Sequence, residues 1–189
     1  MATIERQKLL ADKVELDMQE AGLPCLLAGG APRDWYFGEE ANDLDFYLKE
    51  RDSREVLDKI ESLFGVELKE LGDEGYPRGD QGLSSVYTCE IGGMEVQFMF
   101  LNMDPLDYIM DCFDLTVCKI YYKEGEIVTT WEFRAALDKG WIIVTQPAFD
   151  WRRVYKVMRK PHLKHLEPFN GWKFALQERG FKAIGIAEW

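Results

Sequence analysis

The chain has 189 residues, 47% of them hydrophobic, and a formal net charge of −11. That length and apolar content suit one core-bearing domain, or one domain with a small appendage. The acidic balance argues against a protein that coats nucleic acid, because phosphate binding is driven by clustered Lys and Arg, but it leaves room for an enzyme with a local basic groove.

Ile4 to Glu20 reads as a surface helix ended by Gly22 and Pro24, and Cys25 to Ala28 as a short buried strand running into Gly29-Gly30. Met1 to Gly22 lacks the apolar stretch of a signal peptide, and no later segment approaches the ~20 apolar residues of a membrane span, so a cytoplasmic protein without membrane contact is expected. Pro32 suits the first turn of a helix from Ala31 to Phe37, and Leu44 to Leu48 is the next strand. Asp52 or Ser53 can cap a helix whose apolar positions are Val56, Leu57, Ile60, Leu63 and Phe64. Val66 to Leu71 reads as a strand, Gly72 to Gly82 as a loop, and Ser84 to Ile91 with Met94 to Leu101 as a hairpin about Gly92-Gly93.

A helix from Pro105 to Cys112, a strand from Leu115 to Tyr122, a hairpin partner from Glu126 to Thr130 and a helix from Trp131 to Lys139 follow. Beyond Thr145 the chain turns helical and more basic, with Trp151 to Lys160 and Gly171 to Arg179 the clearest pieces. The expected organisation is a small mixed α/β (α+β) domain over residues 1–147 and a helical extension over 148–189, or that extension as an integral part of the same domain. The four cysteines form no CxxC pair and read as reduced thiols.

The chemistry concentrates in Leu27 to Leu48, LAGGAPRDWYFGEEANDLDFYL. Gly29 and Gly30 stand at a strand-to-helix corner, where missing Cβ atoms let phosphate oxygens approach the backbone. Asp43 and Asp45 are two apart on a strand, so both carboxylates project from one face with room for a metal ion between them. A triphosphate cradle beside metal-binding carboxylates is what nucleotidyl transfer requires.

This ordered set, Gly29, Gly30, Arg33, Asp34, Gly38, Asp43 and Asp45, resembles the first motif of class II CCA-adding enzymes and bacterial poly(A) polymerases, within the polymerase-β-like superfamily. FDLTVCKIYYKEGEIV is similar to the family's D-[FL]-T segment through Asp114, Leu115 and Thr116, and FDWRRVYKVMR to its D-x-x-R base-recognition pair through Asp150 and Arg153. The chain departs from the family in having Cys112 and Phe113 where a basic pair usually stands, and Cys118 in place of a polar residue. The long helical body that grips tRNA in that family is also missing from the sequence.

The resemblance implies a nucleotidyltransferase that uses Mg2+, with Mn2+ as a substitute, at a two-metal site on Asp43 and Asp45. The third carboxylate carried on a neighbouring strand by many superfamily members is Glu95 or else Asp114. Gly29, Gly30, Arg33, Asp114, Asp150 and Arg153 would bind the NTP, ATP among the candidates. The implied acceptor is an RNA 3′ end, that of tRNA in the resembling family. The alternatives are nucleotidylation of a protein or small molecule, and a non-catalytic nucleotide- or RNA-binding module.

Two features stand outside this set. His162 and His165 have HxxH spacing but read as part of a solvated basic face, and Arg152, Arg153, Lys156, Arg159, Lys160 and Lys164 form a dense basic run in an acidic protein. The run is as consistent with a triphosphate or RNA contact as with a solvated helix face.

Overall fold

A computed structural model describes residues 3–72, 82–145, 156–157 and 159–169. Five α-helices and nine strands are found among these residues, and the mixed α/β expectation holds.

The helices begin where a side chain relieves the orphan amides of the first turn. Thr3 caps α1 (Ile4–Glu20), Ser53 caps α3 (Arg54–Phe64), Asp104 caps α4 (Pro105–Cys112) and Thr130 caps α5 (Trp131–Lys139). The short α2 (Gly30–Tyr36) starts directly from Gly29 with no side-chain cap.

Seven strands form one sheet: β1 (Cys25–Ala28), β2 (Asp43–Leu48), β3 (Lys69–Glu70), β4 (Leu83–Ile91), β5 (Met94–Leu101), β6 (Ile120–Lys123) and β7 (Glu126–Thr129). Their order is β3-β4-β5-β2-β1-β6-β7, and the central β2–β5 pair is parallel while the other neighbours are antiparallel.

Alternation along the strands sorts the core into two layers. Leu44, Phe46 and Leu48 of β2 pack with Val96, Phe98 and Phe100 of β5 under Ala11, Val14 and Met18 of α1 and Leu57 and Ile60 of α3. On the opposite face, Tyr47, Met99 and Leu101 pack with Tyr108 and Ile109 of α4, and this second layer also holds Leu115, Val117, Ala136, Ile142, Val157, Leu163 and Leu166.

Two expected strands differ. The stretch from Val66 to Leu71 is a strand only at Lys69 and Glu70, followed by the Leu71 amide donating to the Val86 carbonyl at 2.8 Å, because the end of α3 claims the preceding amides: Val66 donates to the Glu61 carbonyl and Leu68 to the Glu61 carboxylate at 2.9 Å. The strand expected from Leu115 to Tyr122 is an isolated bridge from Leu115 to Val144, a 3-10 turn over Thr116–Cys118, and then β6. Thr116 accounts for the break: its hydroxyl donates to the Ile143 carbonyl at 3.4 Å and accepts from the Ile143 amide at 3.2 Å, which binds the segment to β8 (Trp141–Ile143).

A parallel pair of β8 with β9 (Glu167–Phe169), not expected from the sequence, spans the position where the 1–147 and 148–189 regions were divided. The helix expected over Trp151 to Lys160 is described only at its end, and the one over Gly171 to Arg179 lies outside the described residues, as does most of the Gly72 to Gly82 loop. All four cysteines are free. No helix among the described residues is long and apolar enough to cross a membrane.

One carboxylate in the α1 interface titrates far from its ordinary range. Burial pushes Glu15 up from 4.5 to about 7, although the Leu27 amide donates to it at 3.4 Å. The folded chain therefore holds a proton at Glu15 that the unfolded chain releases, and this group's contribution to stability falls as pH rises from 4.5 to about 7. Glu15→Gln is expected to melt at a higher temperature than the wild type above neutral pH, with the two converging as pH falls toward the lower end of that window. A thermal-melting series across these values checks it, and parallel curves would contradict the assignment.

Candidate active site

The site forms where β1 passes into α2 beside the start of β2. Asp43 and Asp45 are half-buried and alternate with the fully buried Leu44 and Phe46, so both carboxylates leave the face opposite the α1–α3 layer. Parallel pairing sets Asp43 in register with Glu95 and Asp45 with Gln97, which puts all four on that face. The exposed Glu95 accepts from Gln97 at 2.9 Å and from Thr88 at 3.5 Å.

The two glycines at the corner do different things. Gly29 has φ 83 and ψ −115, a conformation that essentially only glycine adopts, and its amide is committed to the Ile120 carbonyl at 2.9 Å. A Cβ on Gly29 would meet the Phe113 ring at 3.5 Å. Gly30 opens instead toward the carboxylates, since a Cβ there would lie 4.0 Å from Asp43 Oδ1 and 3.9 Å from Arg33 Nη2. Gly29 thus makes the turn, and Gly30 leaves the space beside Asp43.

Arg33 and Asp34 form a buried pair behind the corner. Arg33 donates from Nε at 2.9 Å and from Nη2 at 2.8 Å to Asp34 Oδ1, and from Nη1 to the Cys118 sulfur at 3.3 Å. Lys160 donates to Asp34 Oδ2, and His162 Nε2 lies 3.2 Å from Oδ1. His162, expected on a solvated face, has a side chain 9% exposed and stacks on Phe37 with centroids 5.1 Å apart. Its burial holds it below the usual imidazole range against the pull of Asp34, so the neutral ring donates from Nε2 to the carboxylate.

Burial pushes the Asp43 carboxyl above the usual carboxylate range, Glu95 and Asp34 add to the push, and Lys156 and Lys160 oppose it. Carboxylates crowded and desolvated in this way gain from a bound cation, and Asp43 and Asp45 have the hard oxygen donors that a divalent ion takes. No group of three or more His, Cys, Asp or Glu side chains among the described residues is placed to hold a metal ion. Mg2+ sites in phosphoryl transfer are commonly built from one or two carboxylates completed by substrate phosphates and water, and this pair fits that pattern.

The structure therefore brings Gly29, Gly30, Arg33, Asp43, Asp45 and Glu95 into one neighbourhood. Asp114 is half-buried in the second layer's connecting segment, where its carbonyl accepts from the Thr145 amide at 2.8 Å. Between the two candidates for a third carboxylate, the register favours Glu95 as the neighbour of Asp43. Asp150 and Arg153 lie outside the described residues. Lys156 and Lys160, which the reversal of charge sign marks in the sequence as either a triphosphate or RNA contact or a solvated face, act on Asp43, and Lys160 also pairs with Asp34.

Solved structures similar to this chain include tRNA nucleotidyltransferases. An apo-form tRNA-processing enzyme aligns with a TM-score of 0.62 and 20% identity over 95% of this chain and 48% of its own. A tRNA nucleotidyltransferase complexed with a primer tRNA and an incoming ATP analog gives 0.59 and 19% over 87% and 49%. The Thermotoga maritima CCA-adding enzyme complexed with tRNA gives 0.60 and 14% over 90% and 40%. The chain spans about half the length of these structures or less, and at these identities the likeness shows a nucleotidyltransferase-like fold. No curated protein matches the sequence. The model of a family described as Gabija anti-defense 2 family protein matches residues 4–139.

The division of labour between the glycines is testable by unfolding. Gly29→Ala forces a side chain into a glycine-only conformation and is expected to cost about 1–3 kcal/mol. Gly30→Ala meets only ordinary contacts and is expected to stay within about 0.5 kcal/mol of the wild type. Denaturant titration of both variants checks the contrast, and equal losses would remove it.

Proposed function

The chain belongs to the Gabija anti-defense 2 family, and we propose that it is a divalent-metal-dependent nucleotidyltransferase that moves a nucleoside monophosphate from an NTP to an acceptor hydroxyl. The observation that carries this reading is the placement of Asp43 and Asp45 on one face of β2, with Glu95 in register and Gly30 open beside them. The fold shared with tRNA nucleotidyltransferases supports it.

In this reading the acceptor oxygen attacks the α-phosphorus in line, a new O–P bond forms, and the bond to the β-phosphate oxygen breaks to release pyrophosphate. Asp43 and Asp45 would hold Mg2+, or Mn2+ in its place, which supplies charge neutralisation on the phosphates and a lower pKa for the attacking hydroxyl. Gly30 leaves the backbone open to phosphate oxygens, and Arg33 supports the corner from behind through Asp34. Glu95, exposed at the edge of the site and paired in register with Asp43, serves as the third carboxylate on the acceptor side. Asp150 and Arg153 remain the proposed base-reading pair.

For the acceptor, the family description favours a protein component of the defence that it names, and a net charge of −11 makes a long RNA a poor electrostatic match. The second reading, an RNA 3′ end, is favoured by the neighbours described with tRNA.

Incubation of the chain with each α-labelled NTP and Mg2+, with purified Gabija proteins, bulk RNA or lysate, shows which macromolecule gains label. Label on protein supports the first acceptor and label on RNA the second; no label transfer in any arm overturns the nucleotidyltransferase reading. Asp43→Asn and Asp45→Asn are expected to lower transfer by roughly a hundredfold or more while the melting curve stays cooperative, since the lost carboxylate's metal contact is worth several kcal/mol in the transition state. Near-normal turnover in either variant would place the chemistry elsewhere.

A further inference from the structure

The carboxylate of Asp34 has more cationic partners than its burial requires. Its side chain is 2% exposed, and the Arg33 guanidinium, with two nitrogens within 2.9 Å, already neutralises it. Lys160 adds a second full charge and His162 a hydrogen bond at 3.2 Å. With His162 neutral, the cluster of Arg33, Lys160 and Asp34 has a net charge of about +1, and this surplus lies on the side of the Asp43 carboxylate, where an incoming anion with its cation would also be held.

Chain geometry shows where the surplus lies. Lys160 caps the 3-10 turn Pro161–Leu163, whose Leu163 amide donates back to the Lys160 carbonyl at 3.0 Å, and Leu163 and Leu166 are buried in the second core layer. The His162 ring fills the space against Phe37. This segment is thus fixed on three sides, by the core, by Phe37 and by Asp34. Arg33 Nη2 approaches within 3.9 Å of the Gly30 Cβ position, which itself lies 4.0 Å from Asp43 Oδ1, so the cluster backs directly onto the open space of the site. The exposed Lys156 lies four residues before Lys160 in sequence, and both ammonium groups act on the Asp43 carboxylate.

We infer that Asp34, Lys160 and His162 form a clasp that holds the segment after residue 155 against α2, and that the clasp positions Lys156 and Lys160 as the counter-charge for the β- and γ-phosphates of the donor NTP. The inference rests on the nucleotidyltransferase reading above and deepens it. Lys160 is a positioning residue through Asp34 and a phosphate contact through its own charge; Lys156 is a contact only; His162 is a positioning residue only. The donor site is then completed by a segment distant in sequence from Gly29-Gly30, and its affinity depends on that segment being seated.

The test measures binding of a non-hydrolysable ATP analogue with Mg2+, and of CTP, GTP and UTP analogues, by calorimetry on the full chain. Lys156→Met, at an exposed position with no part in the clasp, is expected to weaken binding about tenfold with an unchanged melting temperature. Lys160→Met is expected to weaken it by at least as much, and Lys160→Arg to restore most of the loss. His162→Phe, which keeps the stacking on Phe37 and loses the bond to Asp34, is expected to weaken binding several-fold while Asp43→Asn keeps its own separate effect. A purely structural clasp predicts a lower melting temperature for Lys160→Met without the loss at Lys156→Met, and that pattern overturns the inference. Wild-type binding that neither lysine variant changes overturns it while leaving the nucleotidyltransferase reading intact. Failure of the wild type to bind any of the four analogues removes both.

Discussion

The parallel pairing of β2 with β5 is the constraint from which the site follows. Its register sets Asp43 beside Glu95, and alternation on β2 adds Asp45 to the same face. Like charges on adjacent strands destabilise a sheet, and burial raises the cost at Asp43 further. An arrangement of this kind persists when something else offsets it. Here the apolar layer of Leu44, Phe46, Val96 and Phe98 on the reverse face ties the two strands together whatever the charges do, and Lys156 and Lys160 supply opposite charge on the side of the carboxylates. A divalent cation held by Asp43 and Asp45 would turn the same crowding into binding energy.

The position of α2 matters as much, because it sets the space that Gly30 leaves open. Two buried polar groups hold this helix from opposite sides. Gln7 of α1 accepts from Trp35 Nε1 at 2.7 Å and from the Ala41 amide at 2.9 Å, and donates to the Ala41 carbonyl at 2.9 Å, which joins α1, α2 and the lead into β2. Asp34 does the equivalent toward the chain's later segment through Lys160 and His162. A seven-residue helix has little stability of its own, and most of what fixes it comes from tertiary contacts such as these.

The sequence makes much of this legible where the signal is local. The spans of α1, α3, α4 and α5, the Ser53 cap and the Gly92-Gly93 hairpin lie close to where they were expected, since each depends on residues within a few positions. The Gly29-Gly30 corner and the Asp43–Asp45 face were readable for the same reason. What was not readable depends on partners remote in sequence. Thr116 breaks an apparently continuous strand because its hydroxyl finds Ile143, and His162 leaves the solvent because it finds Asp34. The β8–β9 pair joins segments whose short apolar runs have no turn between them to announce it. Glu95 was distinguishable from Asp114 as a neighbour of Asp43 only once the strand order was known.

Under the proposed nucleotidyl transfer, the fold and the choice of acceptor are separate questions. Among the described residues the buried members of the two core layers lie within residues 11–166, and they place the corner, the carboxylates and the lysines. Under the proposed reading, donor-side chemistry belongs to the portion shared in shape with the similar tRNA nucleotidyltransferases. Glu95 and Glu90, paired in register, extend the carboxylate row outward from Asp43 across β5 and β4, in a chain whose formal net charge is −11. An RNA backbone approaching along that row would meet like charge, whereas a basic protein segment would meet complementary charge and gain in encounter rate as well as in orientation. If the chain transfers a nucleotide as proposed, the direction in which the carboxylate row runs is a physical reason, independent of the family description, for a protein hydroxyl rather than an RNA end as the acceptor.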